Sequence, residues 1–432
     1  MSELAHCPAT SAEYCCPGQS TPISRAVHLG RLARFYPACR QCPRRDETGT
    51  LSGRLVKRLA ETRRRGPSRP LWNGEAAVGV YGNEMTPALA RQLASALGLT
   101  LLDKTRDDGQ PPAAVVAGDG RPLVPELLAA VSEGLRWSGC NVVDIGAASA
   151  PCLAFTLGHL GCAGGIHLGN PGGRAETVGL RFWIGGPRPL SSPDPPALIF
   201  ARIEAGLDRP TRKFGSVGRF QADEPYLAAL APWYHALRPL RFVLDAPCRP
   251  LAGYVRRLMA SVACEPLPCH ARDQLPEQIR RESAHFGVRL DDDGETFQLW
   301  DERGESVGSE SLLVLLATGP AAGTENSPAR SPAERLLVVE EATSAPTVRR
   351  LRREGYRVVA CPALRAEMYD ACRQSRAALA GGPSGRFWHL LDDRPLPDAL
   401  MSLTLILARL SRSDHPLSHV LADLPPHSSR SA

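Results

Sequence analysis

Lysine is nearly missing from this 432-residue chain: it stands only at positions 57, 104 and 213, and almost all the basic charge is arginine. A formal net charge of +6 over that length is mild, so charge gives no ground for a nucleic-acid partner. No apolar run approaches the length that spans a bilayer, and no membrane partner is expected. The opening Met-Ser-Glu-Leu-Ala-His-Cys lacks the basic-then-apolar order of a secretory leader. Thirteen cysteines, odd in number and scattered, do not read as a disulfide framework. A reducing, cytoplasmic setting is therefore expected. The length argues for two to four domains rather than one core.

Cysteine is nevertheless crowded at the start. Cys7, Cys15, Cys16, Cys39 and Cys42 fall within residues 1–50, with His28 between them. Cys16, His28 and the Cys39-Arg-Gln-Cys42 pair are candidate ligands of a tetrahedral Cys₃His zinc site, because thiolates two apart in a knuckle share one metal readily. Cys15 rivals Cys16 as first ligand, and the plain alternative is a tail with unliganded thiols. Residues 22–33 read as a short amphipathic helix with Ser20 or Thr21 near its cap. Residues 51–72 carry a basic helix ending at Gly66-Pro67, expected to face water as a linker.

From residue 73 the pattern is α/β. Residues 73–222 alternate strands (78–82, 113–118, 141–146, 164–169, 178–183) with helices (86–97, 126–137, 151–160). The first helix opens at Thr86-Pro87 and is expected to stop at Gly98. A Pro-rich surface loop spans 185–196. Residues 223–320 form a second unit and 333–425 a third. Between them lies a linker at 319–332, and a polar tail at 426–432 ends the chain. Three consecutive α/β/α domains with mixed, largely parallel sheets are expected, after a small Cys/His-rich segment.

One stretch of the second unit carries chemistry. Phe286, Val288 and Leu290 alternate as a buried strand, an acidic turn follows, and Phe297 and Leu299 resume the alternation. Asp291, Asp293 and Glu295 sit on that turn at spacing i, i+2, i+4, where oxygen ligands can converge on Mg²⁺ or Ca²⁺. A solvated acidic turn is the alternative, since loops favour Asp and Gly.

The order of these features resembles the α-D-phosphohexomutases, the phosphoglucomutase and phosphomannomutase family, over residues 75 to about 424. Ala117-Gly-Asp-Gly-Arg-Pro122 stands where that family has Gly-Arg-Asp-Thr-Arg-Pro. Asn141 to Gly146, Ala150-Pro151 and Gly161 to Ile166 lead to its serine loop, and Gly179-Leu-Arg-Phe182 matches the strand after it. Val243-Leu-Asp-Ala246 resembles the opening of its second domain. Asp291 to Thr296 stands at its metal loop, Asp-Gly-Asp-Xaa-Asp-Arg. Gly381 to Arg386 stands at its sugar-reading Gly-Glu-Xaa-Ser-Gly-His.

The resemblance implies a phosphoserine that exchanges phosphoryl groups with a hexose phosphate beside a loop-bound Mg²⁺. This chain departs from that pattern. The serine loop reads Leu168-Gly-Asn-Pro171, so Gly169, Asn170 and Pro171 replace the nucleophile and no catalytic residue is assigned. Thr177 is the nearest downstream hydroxyl. Glu295 and Thr296 alter the metal loop, Pro383 replaces the sugar-reading Glu, and the family's fourth domain has no counterpart before the chain ends. Ser384 and Arg386 are candidate anion-binding residues, Asp119 and Arg121 a loop pair or ligand contact, and His167 a core or cleft residue. Three functional readings follow. One is an impaired homologue acting in sugar-phosphate binding, regulation or assembly, with a hexose phosphate, a protein partner or an oligomer as company. Another is an active hexose-phosphate mutase or sugar phosphatase. The third is a zinc-dependent interaction module on an α/β scaffold.

Overall fold

The structure is a computed structural model, which describes residues 14–63, 71–105, 110–171, 173–208, 210, 213–234, 237–269, 271–318 and 336–422. The expected linker 319–332, the tail 426–432 and Cys7 lie outside the described residues.

Two short helices open the chain. In α1 (Arg25–Ala33) the cap is Ser24, whose side chain accepts from Val27 N; the Ser20 or Thr21 cap expected from sequence is not used. Ser52 caps α2 (Gly53–Glu61) in the same way, its side chain accepting from Leu55 N. This segment is not a separate body. Leu32, Phe35, Cys39 and Leu59 are buried in one apolar cluster with Trp72, Tyr81, Leu97 and Leu127 of the first α/β unit. Nor is α2 the solvated linker that its charge suggested. Its Arg58 reaches the fully buried Glu176, and its Leu59 is buried.

The first unit runs β1 (Ala77–Val80), α3 (Pro87–Lys104), β2 (Ala113–Gly118), α4 (Val124–Trp137), β3 (Asn141–Ala147), α5 (Ala150–Leu160), β4 (Gly164–Gly169), β5 (Thr177–Ile184), α6 (Ala197–Ala205) and β6 (Val217–Arg219). Its sheet has the order β1-β5-β4-β2-β3-β6, parallel from β4 to β6 and antiparallel at β1 and β5. The expected stop of α3 at Gly98 does not occur. That glycine sits inside the helix, because a Cβ there would lie 1.9 Å from Ser138 Oγ at the end of α4. Close approach of two helices, rather than termination, explains the residue. Helix α6 and edge strand β6 were not legible in the Pro-rich passage.

The second unit comprises α7 (Asp223–Leu230), β7 (Arg241–Asp245), α8 (Arg249–Met259), β8 (Glu265–Pro268), α9 (Leu275–Arg281), β9 (Phe286–Leu290), β10 (Phe297–Trp300), β11 (Ser306–Val307) and α10 (Ser309–Thr318). Its sheet order is β11-β10-β9-β7-β8, and β9 and β10 form the expected antiparallel hairpin, Leu290 facing Phe297. The third unit has β12 (Leu336–Glu340), α11 (Ala345–Arg353), β13 (Arg357–Cys361), α12 (Arg365–Ser375), β14 (Leu379–Gly381), β15 (Trp388–Leu391), β16 (Arg394–Pro397), α13 (Ala399–Leu410) and α14 (Leu417–Ala422). Its sheet order is β13-β12-β14-β15-β16. Asp392 and Asp393 turn the β15–β16 hairpin, both at positive φ. Alternation on so short a run, without Asn-Gly or Asp-Gly, left that hairpin unread.

One apolar cluster passes through all three units, from Leu153 and Phe155 through Tyr226, Phe286 and Leu313 to Leu400. The loops after β4, β9 and β14 meet: Asn170 bonds to Asp293, and Thr296 bridges to Arg386. The three units are joined at that meeting point.

Candidate functional site

The hairpin tip is built from its own backbone outward. Asp291 ends β9 and turns its Oδ1 back to accept from Gly294 N at 2.6 Å and Glu295 N at 2.8 Å, with Gly294 at φ +84°. This is the side-chain-to-backbone closure that short acidic turns favour. Burial, reinforced by neighbouring Asp293, pushes the Asp291 carboxyl up to about 6. Asp292 accepts from Asn170 Nδ2 at 2.6 Å. Asp293 accepts from Asn170 N at 2.9 Å and pairs with Arg181 at 3.0 Å. A Cβ on Gly169 would fall 1.9 Å from Asp293 Oδ1, so only glycine lets the tip seat against the end of β4.

Glu295 is the hub. Arg365 donates to it at 2.6 Å, Arg181 approaches at 3.3 Å and Arg386 at 3.5 Å. Burial alone would raise its carboxyl, but the Arg181, Arg365 and Arg386 guanidiniums hold it down at about 2. Arg386 in turn grips Glu75 bidentately, both distances 2.9 Å. Arg181 is desolvated, yet Asp293 and Glu295 raise its pKa above the ordinary arginine value. Arg365, in the first turn of α12, stacks 4.9 Å from the Trp183 ring; burial lowers its pKa. Three guanidiniums thus face the carboxylates of Asp293, Glu295 and Glu75, drawn from all three units.

This arrangement does not fit a loop-bound Mg²⁺. Asp291 is spent on its own turn, and Arg181 lies against Asp293 and Glu295 as their counter-charge. Among the described residues, no group of three His, Cys, Asp or Glu side chains is placed to hold a metal. The expected convergence of Asp291, Asp293 and Glu295 on one cation is corrected accordingly. Sequence reasoning missed Arg181, Arg365 and Glu75. The signal for Arg181 was on the page, since an arginine inside an otherwise apolar strand is costly to bury without carboxylate partners.

The other candidates divide. Arg121 pairs with Asp119 at 2.6 Å and donates to Gly169 O and Thr177 O, each at 2.9 Å, which fixes the loop between β4 and β5. Asn170 and Thr177 are joined at 3.3 Å, and the Thr177 hydroxyl donates to Arg174 O. Ser384 is engaged by Glu340, through its amide at 3.0 Å and through its hydroxyl. His167 is fully buried and bonds to Ala148 O at 2.9 Å; burial lowers its pKa.

At the N-terminus, Cys16, Cys39 and Cys42 are all buried, and their thiols interact: burial, with Cys16 and Cys42 nearby, pushes Cys39 up to about 11. His28 does not join them. It stacks on Tyr14 at 4.4 Å and contacts Glu47 O. The expected Cys₃His arrangement is not formed, because His28 is held by that stacking and Arg31 donates to Cys16 Sγ at 2.9 Å. Cys15 is half-buried.

With this geometry described, comparison with known proteins is informative. Residues 75–206 match the family description "Phosphoglucomutase/phosphomannomutase, alpha/beta/alpha domain I". That span opens on Glu75 of the cage and covers the sheet as far as α6. Over residues 75–206 the chain is thus similar to the first domain of that family. A phosphoglucosamine mutase from Symbiobacterium thermophilum is 31% identical over 264 residues, covering 55% of this chain and 58% of that protein. A probable phosphoglucosamine mutase from Methanopyrus kandleri is 25% identical over 383 residues, 81% of this chain and 78% of the relative. The fold matches a phosphoglucomutase/phosphomannomutase family protein from Burkholderia thailandensis with TM-score 0.70 at 22% identity, over 83% of this chain and 80% of that one. The chain spans about 58% of the length of several of these curated mutases. Among the described residues, no helix is long and apolar enough to cross a membrane.

Proposed function

We propose that this protein binds a hexose phosphate in the cleft where its three units meet, without passing a phosphoryl group through a serine of its own. One observation carries the reading. Where the acidic tip meets the first unit, the facing residue is Asn170, and the counter-charge beside the tip is Arg181. An amide is no phosphoryl nucleophile, and the groups of a catalytic site act as a unit, so losing the nucleophile removes most of its effect. The nearby Thr177 hydroxyl is 1% exposed and donates within its own loop.

What remains suits recognition. Arg386 is the most exposed guanidinium of the cage, beside the Gly-Pro-Ser-Gly turn, and a guanidinium presents paired donors to a phosphate. The sugar-phosphate class itself is supported by the names of the relatives, which are phosphoglucosamine mutases. Incubation with ³²P-labelled glucose 1,6-bisphosphate tests the proposal. Saturable binding of glucose 1-phosphate or glucosamine 1-phosphate, with no acid-stable label on the protein, is expected. Stoichiometric phosphoserine, or turnover of either sugar phosphate with Mg²⁺ present, overturns it in favour of a working mutase.

A further inference from the structure

A cavity lies where the N-terminal segment meets the first unit, away from the junction of the three units. It encloses about 550 Å³ and shares no residue with the arginine cage. Cavities of roughly 300–1,000 Å³ are the size that takes small organic ligands. Arg40, Arg45 and Arg63 line it, with Phe35, Tyr36 and Tyr81. The acidic residue on its wall is Glu126, whose carboxylate accepts from the Tyr81 hydroxyl. The wall therefore carries both guanidiniums and aromatic rings.

Its construction is specific. Arg40 lies across Gly82, donating to its carbonyl at 2.6 Å; a Cβ at Gly82 would fall 1.8 Å from Arg40 Nη1. The same guanidinium stacks over Tyr81 at 5.4 Å. Phe35 holds φ at +53°, a conformation bulky residues rarely adopt, and it is buried at the cavity wall. Arg45 donates to Arg40 O, and Arg63 pairs with Asp46 and reaches Arg45 O. Each guanidinium carries five N–H donors, so these bonds leave donors for a ligand.

We propose that this cavity binds a nucleotide, its phosphate on Arg45 and Arg63 and its base against the aromatic wall. Arginine forks match phosphate oxygens, and aromatic faces take planar bases. Position makes the site an effector site. Helix α2 supplies Leu59 to the cavity and, from its other flank, Arg58 to Glu176 and Glu61 to Arg174. Tyr81, also on the cavity wall, donates its amide to Glu176 O at 2.9 Å. Glu176 belongs to the loop that carries Asn170 to the acidic tip. A nucleotide that fixes α2 and Tyr81 thus acts on the cleft, and coupling of that kind is reciprocal.

Isothermal titration of the full chain with UMP, AMP, uridine, adenosine and inorganic phosphate tests this. At least one nucleotide is expected to bind, with its nucleoside and inorganic phosphate both much weaker. The R45M/R63M double variant removes two charge-assisted contacts from half-exposed side chains, so its circular dichroism stays native while affinity falls by roughly a hundredfold. Arg386→Met leaves nucleotide binding intact and weakens only glucose 1-phosphate, which separates this site from the cleft. Silence of both nucleotides at millimolar concentration, equal binding of inorganic phosphate alone, or undiminished affinity in R45M/R63M overturns the proposal.

Discussion

Replacing Arg181 with Met is the sharpest probe of the cage. The side chain is 5% exposed and is the cation beside both Asp293, at 3.0 Å, and Glu295, at 3.3 Å. Methionine keeps the apolar stem and removes the charge. Glu295 retains Arg365 and Arg386, but Asp293 then keeps the Asn170 amide and no ion pair. Removing one partner of a buried ion pair costs about 3–5 kcal/mol, because the remaining charge is left in a poorly solvating interior. That loss lowers the thermal midpoint by roughly 3–6 °C in a chain of this size. Adding Asp293→Asn removes the stranded charge, so R181M/D293N is expected to lose less than the sum of the single variants, by about 1–3 kcal/mol. A second signature follows from charge. With Arg181 gone, Mg²⁺ at about 10 mM raises the midpoint of R181M and leaves the native protein unmoved. Differential scanning calorimetry of the four proteins, with and without Mg²⁺, decides the matter. A midpoint within about 2 °C of native for R181M, or equal Mg²⁺ stabilisation of the native protein, refutes the substitution of arginine for metal.

Other expectations are quickly tested. Glu176→Gln weakens the grip of Arg58 and Arg174 on the loop after β4, so limited proteolysis should cut between the N-terminal segment and the first unit sooner than in the native chain. Glu75→Gln leaves Arg386 with a weaker partner across two units and should cost about 1–3 kcal/mol in urea unfolding. Asp398 caps α13, accepting from Leu400 N and Met401 N and from the Tyr226 hydroxyl, and burial raises its pKa to about 6. The folded state then holds a proton the unfolded state has released, so stability falls as pH rises from about 4 through 6, by roughly 3 kcal/mol from this group. Asp398→Asn should flatten that part of the profile, and an unchanged slope between pH 4 and 6 would count against Asp398 as its source.

Local pattern went far in this protein. Alternation at Phe286, Val288 and Leu290, resumed at Phe297 and Leu299, was enough to place the β9–β10 hairpin, and the strand–helix rhythm placed the inner strands of the three sheets but not β6 or the β15–β16 hairpin. Both signals are local, because each residue's face follows from its neighbours two or four positions away. The order of the degraded motifs also carried the resemblance that residues 75–206 share with that family. Where a residue's role depends on a distant surface, sequence misled. Gly98 looked like a helix stop and is a helix contact; α2 looked solvated because its partner Glu176 lies more than a hundred residues on.

The sequence by itself therefore determined the layered α/β architecture, the acidic tip and a Gly169-Asn170-Pro171 loop that carries no hydroxyl. Only the tertiary structure decided what neutralises that tip. Arg181 comes from the first unit and Arg365 and Arg386 from the third, and nothing in their own neighbourhoods marks them as partners of Glu295. Burial and charge balance are properties of the assembled interior, where an unpaired carboxylate is too costly to leave. Three acidic residues in a row of alternate positions suggest a cation, and the folded chain supplies it as guanidinium.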